Sequence, residues 1–171
     1  MKRLNVLLVP ILMLFAVTGH AALNGYAQLY VNGELLDGDV TMATIGGVDV
    51  STGYIEVYGF NQSLIAKAKS APITIMKRID QTTPVIASAV AEEKVVTGQI
   101  LLFDNDPDSG ETRHRFTISL SGGLAVESTI VLPDAFDPQQ ANKPPYEYLQ
   151  IVPGSYTLTD ELNATEYTVG F

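Results

Sequence analysis

Apolar and polar residues alternate through most of this chain, and the alternation changes to a helical period in ITIMKRIDQTTPVIASAVAEEK, residues 73–94. Ile73, Ile75 and Ile79 share one strand face, with Thr74, Met76 and Arg78 on the other. Thr83 then stands as an N-cap and Pro84 as the first helical residue. A hydroxyl satisfies the free N–H groups of a helix start, and proline has no N–H to leave unpaired. Val85, Ile86, Ala89 and Val90 make an apolar stripe, so the pattern predicts one short helix over about residues 84–94. A chain with one helix must bury its remaining apolar surface through strands.

The strands are predicted at residues 26–31, 54–60, 96–103, 113–120, 124–132, 146–152, 155–158 and 166–171. In the clearest run His114, Phe116, Ile118 and Leu120 face one way, with Arg113, Arg115, Thr117 and Ser119 opposite. Asn32–Gly33 and Gly122–Gly123 suit two-residue hairpins whose central residues need positive φ. The acidic loop at 104–111 joins the strands on either side as a hairpin. Residues 61–72 and 133–145 read as longer loops. About nine strands in one domain favour a barrel or a tightly packed sandwich, a mainly β fold whose helix covers an open end or one face.

The first residues have another character. Lys2 and Arg3, the apolar run 4–17 and the small residues Gly19 and Ala21 have the three-part anatomy of a secretory signal peptide cleaved after Ala21. The apolar run contains Asn5 and Pro10 and falls short of the roughly 20 residues a membrane helix needs. Residues 22–171 then form a single exported domain with no later membrane-spanning helix, expected in the periplasm or outside a Gram-negative cell. Ten basic residues stand against 19 acidic ones, and loss of Lys2 and Arg3 deepens the net charge of −9. Such a polyanion repels nucleic acid and anionic lipid. Lys67, Lys69, Lys77 and Arg78 are the nearest thing to a basic cluster and read as a solvated strand-end face. With no cysteine, stability comes without disulfides, and thiolate metal sites and thiol catalysis are excluded.

Catalytic signatures are absent: there is no GxSxG elbow, HExxH helix or GxxxxGK[ST] loop. His114, the sole histidine after residue 21, sits on the apolar face of its strand and reads as a core or interface side chain. The chain is therefore expected to be no enzyme and to need no cofactor. Asp104, Asp106, Asp108 and Glu111 in FDNDPDSGETR resemble the start of a calcium loop. Ser109 stands where the turn glycine belongs and Arg115 where the bidentate glutamate does, so an exposed acidic hairpin is the better reading.

Five segments, taken in order, resemble the haemolysin-coregulated protein (Hcp) family, the tube subunits of type VI secretion systems: GYIEVYGFNQS at 53–63, ITIMKRIDQTTPVIASAV at 73–90, GQILLF at 98–103, HRFTISL at 114–120 and YEYLQIVPGSYTLT at 146–159. The resemblance implies a two-sheet β-barrel with one helix at its side, hexameric rings, and stacking of rings into a hollow tube. Two features depart from the family. The signal peptide sends the chain along the general secretory route, and the loop between Phe60 and Ile73 is shorter and poorer in glycine than the family's ring-stacking loop. An Hcp-like ring, tube or extracellular filament built outside the cytoplasm follows, with copies of the same chain as partners and secreted cargo or secretion components beyond them. Arg78, Asp80 and Thr82 are the candidate assembly residues, against a plain role in capping the strand–helix corner.

Two other classes remain open on sequence. The closing alternation of Tyr167, Val169 and Phe171 suits a small outer-membrane barrel. Most strands, however, are shorter than the roughly 9–11 residues a membrane strand takes, QILLF breaks alternation, and tryptophan is absent. The second is a monomeric exported domain binding a ligand or calcium through the acidic loop.

Overall fold

A computed structural model describes residues 24–63, 72–140 and 142–171. The signal peptide expected at 1–21, Lys67, Lys69 and most of the loop at 61–72 lie outside them. Among the described residues eleven strands and one helix follow in the order β1 (Asn24–Val31), β2 (Glu34–Leu35), β3 (Thr44–Ile45), β4 (Val48–Asp49), β5 (Ile55–Gln62), β6 (Ile73–Arg78), α1 (Thr83–Ala91), β7 (Val95–Asn105), β8 (Thr112–Val131), β9 (Tyr146–Val152), β10 (Ser155–Asp160) and β11 (Thr165–Gly170). The mainly β fold with one short helix is the expected one.

Six antiparallel strands close on themselves. β8 pairs with β7, β7 with β1, β1 with β5, β5 with β6, β6 with β9, and β9 returns to β8. β10 and β11 extend the sheet from the first half of β8. The inward residues are the apolar partners of each alternation: Ala27, Leu29 and Val31 of β1, Ile55 and Val57 of β5, Ile73 and Ile75 of β6, Ile100 of β7, Ile118 and Leu120 of β8, Leu149 and Ile151 of β9. Each large aliphatic side chain buried here contributes about 1.5–3 kcal/mol. The interior is therefore mostly hydrocarbon, with Lys77 and Glu147 at one end, and the outer face carries Gln28, Glu56, Thr74, Gln99 and Gln150, the reverse of a membrane barrel's polar lumen and apolar outer band.

The strands depart from simple alternation at Gly122–Gly123, at Arg115 and in QILLF. Asn32 (φ 49°) and Gly33 (φ 86°) do make the two-residue turn from β1 to β2. Gly122–Gly123 does not make one, and the two strands expected on either side are a single 20-residue β8. Residues 116–121 lie between β7 and β10, while residues 124–131 pair with β9. Gly122 (φ 61°) bends the strand between the two walls, and a Cβ on Gly123 would lie 2.9 Å from Ile151 Cγ2 and 3.0 Å from the Val96 carbonyl oxygen. Tight packing at Gly123 and a positive φ at Gly122, rather than a chain reversal, account for this pair.

The run 113–120 also fails to keep one face. Phe103 is opposite His114 but Leu102 is opposite Phe116, so Arg115 is the extra residue of a bulge and parity reverses across it. His114 accordingly lies beside Phe103, ring centroids 5.1 Å apart, on the outside of the barrel. That outer face is covered too. Tyr26, Leu101 and Phe103 are buried there with Ile45 and Val50, under the segment that carries the β3–β4 hairpin. QILLF breaks alternation because both faces of β7 are covered.

Helix α1 leads from the end of β6 to the start of β7 and packs against β8. Ile86 and Ala89 enter the core, whereas Val85, expected in the stripe, is exposed. Its ends differ from the expected ones. Thr82 holds the N-cap position without a side-chain cap bond, and Thr83 and Pro84 are the first two helical residues. At the other end Glu93 takes φ 52°. Its N–H reaches the Val90 carbonyl at 3.4 Å, and the Lys94 N–H reaches that of Ala89 at 2.9 Å. This double closure stops the helix at Ala91, short of the expected Lys94, with a glutamate where glycine is usual.

Candidate functional site

The displaced cap is explained by a buried cluster at the β6–α1 corner. Lys77 continues the inward parity of Ile73 and Ile75, Glu147 that of Leu149 and Ile151, and the β6–β9 register sets the two directly opposite. Both are 0% exposed. Lys77 Nζ donates to Glu147 Oε2 (3.0 Å), Thr83 Oγ1 (3.1 Å), Asp80 Oδ1 (3.2 Å) and the Arg78 carbonyl (2.6 Å). Glu147 also accepts the hydroxyls of Thr83 (2.8 Å) and Ser128 (2.7 Å). Thr83 thus uses its hydroxyl in the cluster, and Asp80 closes the turn by accepting the Thr82 N–H (2.9 Å) and hydroxyl. Lys77 had read as solvated. The signal that would have found it is a charge at buried parity, matched by the opposite charge at buried parity on another strand.

Among the described residues no buried side-chain nitrogen or oxygen lacks a partner. An ammonium with every proton donated is neither a nucleophile nor a proton shuttle, so the cluster fixes geometry. It holds β6, β9, β8 and the helix start in one arrangement. Of the three assembly candidates, Asp80 and Thr82 are enclosed in this corner. The Arg78 side chain is 40% exposed beside Glu56, 3.5 Å away.

The acidic loop is the expected hairpin between β7 and β8. Its carboxylates turn to their own chain: Arg113 binds Asp104 (2.8 Å) and Asp106, while Asp106 Oδ1 accepts the N–H groups of Asp108 (2.8 Å) and Ser109 (3.0 Å). Those N–H groups, Ser109 first, hold the Asp106 carboxyl below its usual range, with Arg113 adding to the effect. Among the described residues no group of three or more His, Asp or Glu gathers to hold a metal ion. His114 Nε2 sits 3.2 Å from the Phe116 carbonyl and 3.1 Å from Thr117 Oγ1, so its ring is engaged by its own strand.

A feature absent from the sequence reading lies on the outer face. Tyr58, Met76 and Tyr148 come from three neighbouring strands at outward parity. With Tyr146, Pro144 and Lys143 they bound an open groove of 560 Å³, and a 190 Å³ hollow continues from Met76 and Tyr148 past Thr74, Gly59 and Phe60. The Tyr146 and Tyr148 rings meet edge to face at 5.2 Å. The hydrogen bond to Tyr146, then burial, raises the Tyr148 phenol above its ordinary value. Burial, then the Glu56 charge, does the same to Tyr58. Phenyl, phenol and thioether walls suit an apolar or aromatic guest, and no carboxylate or imidazole lines them to do chemistry. The groove escaped notice because it exists only once β5, β6 and β9 are neighbours.

These features define a class: a closed antiparallel barrel with one flanking helix, a satisfied polar corner and an apolar outer groove, with no helix among the described residues long and apolar enough to cross a membrane. No family model matches the chain, and no curated protein matches it. Solved structures do. An Hcp protein superposes with a TM-score of 0.73 at 14% identity, covering 87% of this chain and 98% of that one. The secreted protein Hcp3 of Pseudomonas aeruginosa gives 0.65 at 17% identity, covering 88% and 99%. Hcp1 of Salmonella typhimurium gives 0.66 at 12% identity, covering 88% and 96%. The fold is Hcp-like over nearly the whole of those chains, as the sequence resemblance implied.

Proposed function

We propose that the chain is a structural, self-assembling subunit, exported by its signal peptide, that forms Hcp-like rings able to stack into a tube or extracellular filament. The observation that carries this is apolar surface left in water on a fold that resembles tube subunits. Ile130 is 60% exposed, Leu132 79% and Phe136 95%, and Val95, Leu124 and Val126 add a second exposed group. A small soluble domain rarely leaves so many large apolar side chains uncovered unless a partner covers them. Among the described residues β11 pairs on one side only, with β10, and so offers an open edge to a neighbouring strand. In a ring every contact is heterologous, one patch meeting a different one on the next copy. Arg78 is the assembly candidate that reaches the surface, and Asp80 and Thr82 act by shaping the corner that presents it. The role read here is structural, on the likeness of the fold to Hcp proteins.

The test is light scattering and electron microscopy of residues 22–171. Six-fold rings are the expected result. A strict monomer at high protein concentration would remove the proposal.

A further inference from the structure

We propose that the β8–β9 connection of one copy docks as a knob on a second copy, with Phe136 seated in the groove formed by Tyr58, Met76, Tyr146 and Tyr148. This rests on the chain being a self-assembling subunit and names the contact that joins two copies.

Phe136 is held out rather than left loose. Its N–H donates to Asp134 Oδ1 at 2.8 Å. Successive turns follow from Asp137 N–H to the Asp134 carbonyl (3.2 Å), Gln140 N–H to that of Asp137 (2.9 Å) and Lys143 N–H to that of Gln140 (2.9 Å). A side chain presented on a self-bonded turn loses little further freedom on docking. At 95% exposure the ring touches almost nothing of its own chain, so its own groove stays open. The groove's 560 Å³ accommodates a phenyl ring, and the edge-to-face tyrosines and the Met76 thioether are walls that favour one.

Charge selects the same pairing. The knob sequence LPDAFD places Asp134 and Asp137 on either side of Phe136. Lys143 stands at the groove's rim and its charge is felt at Tyr148, while at the Tyr58 end Glu56 acts more strongly than Arg78. In a chain with 19 acidic and ten basic residues, an acidic knob meets repulsion over most of another copy and attraction at the Lys143 end of this seat. A second copy is therefore the occupant that chemistry on the page favours.

Because the chain has no cysteine, single-cysteine variants report contacts without background. Ala135→Cys, beside an intact Phe136, and Thr74→Cys, beside an intact Met76, are purified separately, mixed and oxidised, with Ser109→Cys replacing Ala135→Cys as the control. The expected result is a mixed disulfide formed at least about tenfold faster than in the control, since docking raises the effective concentration of the two thiols. In sedimentation velocity Phe136→Asp should weaken self-association at least about tenfold, as for an interface hot spot. At a dilution where neither protein assembles its melting temperature should match that of the wild type, because the ring has no packing to lose within one copy. Lys143→Asp should weaken assembly, and Asp137→Lys added to it should restore it. Oligomers that persist unchanged in Phe136→Asp, with no mixed disulfide, would overturn this contact and leave self-assembly standing. A wild-type protein that is monomeric at every concentration would overturn both.

Discussion

Lys77→Met keeps the length of a buried side chain and removes its charge, which isolates what the corner cluster contributes. The ammonium leaves four acceptors behind. Asp80 retains the Thr82 N–H and hydroxyl. Glu147 retains the two hydroxyls of Thr83 and Ser128 but becomes a fully enclosed carboxylate with no counter-charge. Breaking a buried pair on one side costs about 3–5 kcal/mol, against a total stability of roughly 5–15 kcal/mol for a domain. At about 2–4 °C per kcal/mol for this size, the melting temperature should fall by on the order of 10 °C. Urea unfolding at neutral pH, followed by circular dichroism, measures it. Adding Glu147→Gln removes the stranded charge and should return at least about 1 kcal/mol, a coupling that two independent substitutions would not give. A Lys77→Met protein within about 0.5 kcal/mol of wild type, or a double variant with additive losses, would refute the claim that a mutually compensated ion cluster holds the corner.

Other substitutions test separate parts of the fold. Glu93→Gly should raise stability by about 1 kcal/mol in the same assay, because a side chain now occupies a left-handed helix terminus at φ 52° that glycine adopts freely. Gly98→Ala should cost at least about 3 kcal/mol or prevent folding. Its Cβ would come 2.0 Å from the Gln28 carbonyl oxygen and 2.9 Å from Leu29 Cα, and backbone cannot yield there without parting β1 from β7. Asp106 is held below its ordinary value in the folded chain by the Ser109 and Asp108 N–H groups and Arg113. Its contribution is therefore complete above the unfolded carboxyl value of about 3.9 and is lost as pH falls through the lowered folded value. Carboxyl titration by NMR should place its midpoint below that of an ordinary aspartate, and Asp106→Asn should flatten the acid limb of the stability curve.

Alternation located nearly every long strand because one face of each lies against the barrel interior, and period two is the direct consequence of that burial. It failed where burial was not one-sided. β7 is covered on both faces, so QILLF alternates in no direction. The Arg115 bulge reverses parity inside what looked like one clean run, and that placed His114 on the wrong face. Gly122–Gly123 carried the signature of a turn, yet Gly122 bends a continuous strand at positive φ and Gly123 allows the close approach of Val96 and Ile151, residues distant in sequence. The two-residue β3 and β4 strands are too short to show a period at all. Of the candidate site residues, sequence singled out Arg78, Asp80 and Thr82 by their place at the strand–helix corner. It could not divide them into one that reaches solvent and two enclosed with Lys77 and Glu147.

The sequence alone determined what is local or periodic: a mainly β domain, one helix beginning near Thr83–Pro84, the Asn32–Gly33 turn, the acidic hairpin, and a chain without thiols. Each follows from the preferences of a few neighbouring residues. Tertiary structure decided everything that depends on which strands are neighbours. The β6–β9 register turned Lys77 and Glu147 from two surface charges into a buried pair. The β5–β6–β9 order gathered Tyr58, Met76 and Tyr148 into one groove. Pairing register is set by the whole barrel closing at once, so no window of sequence contains it.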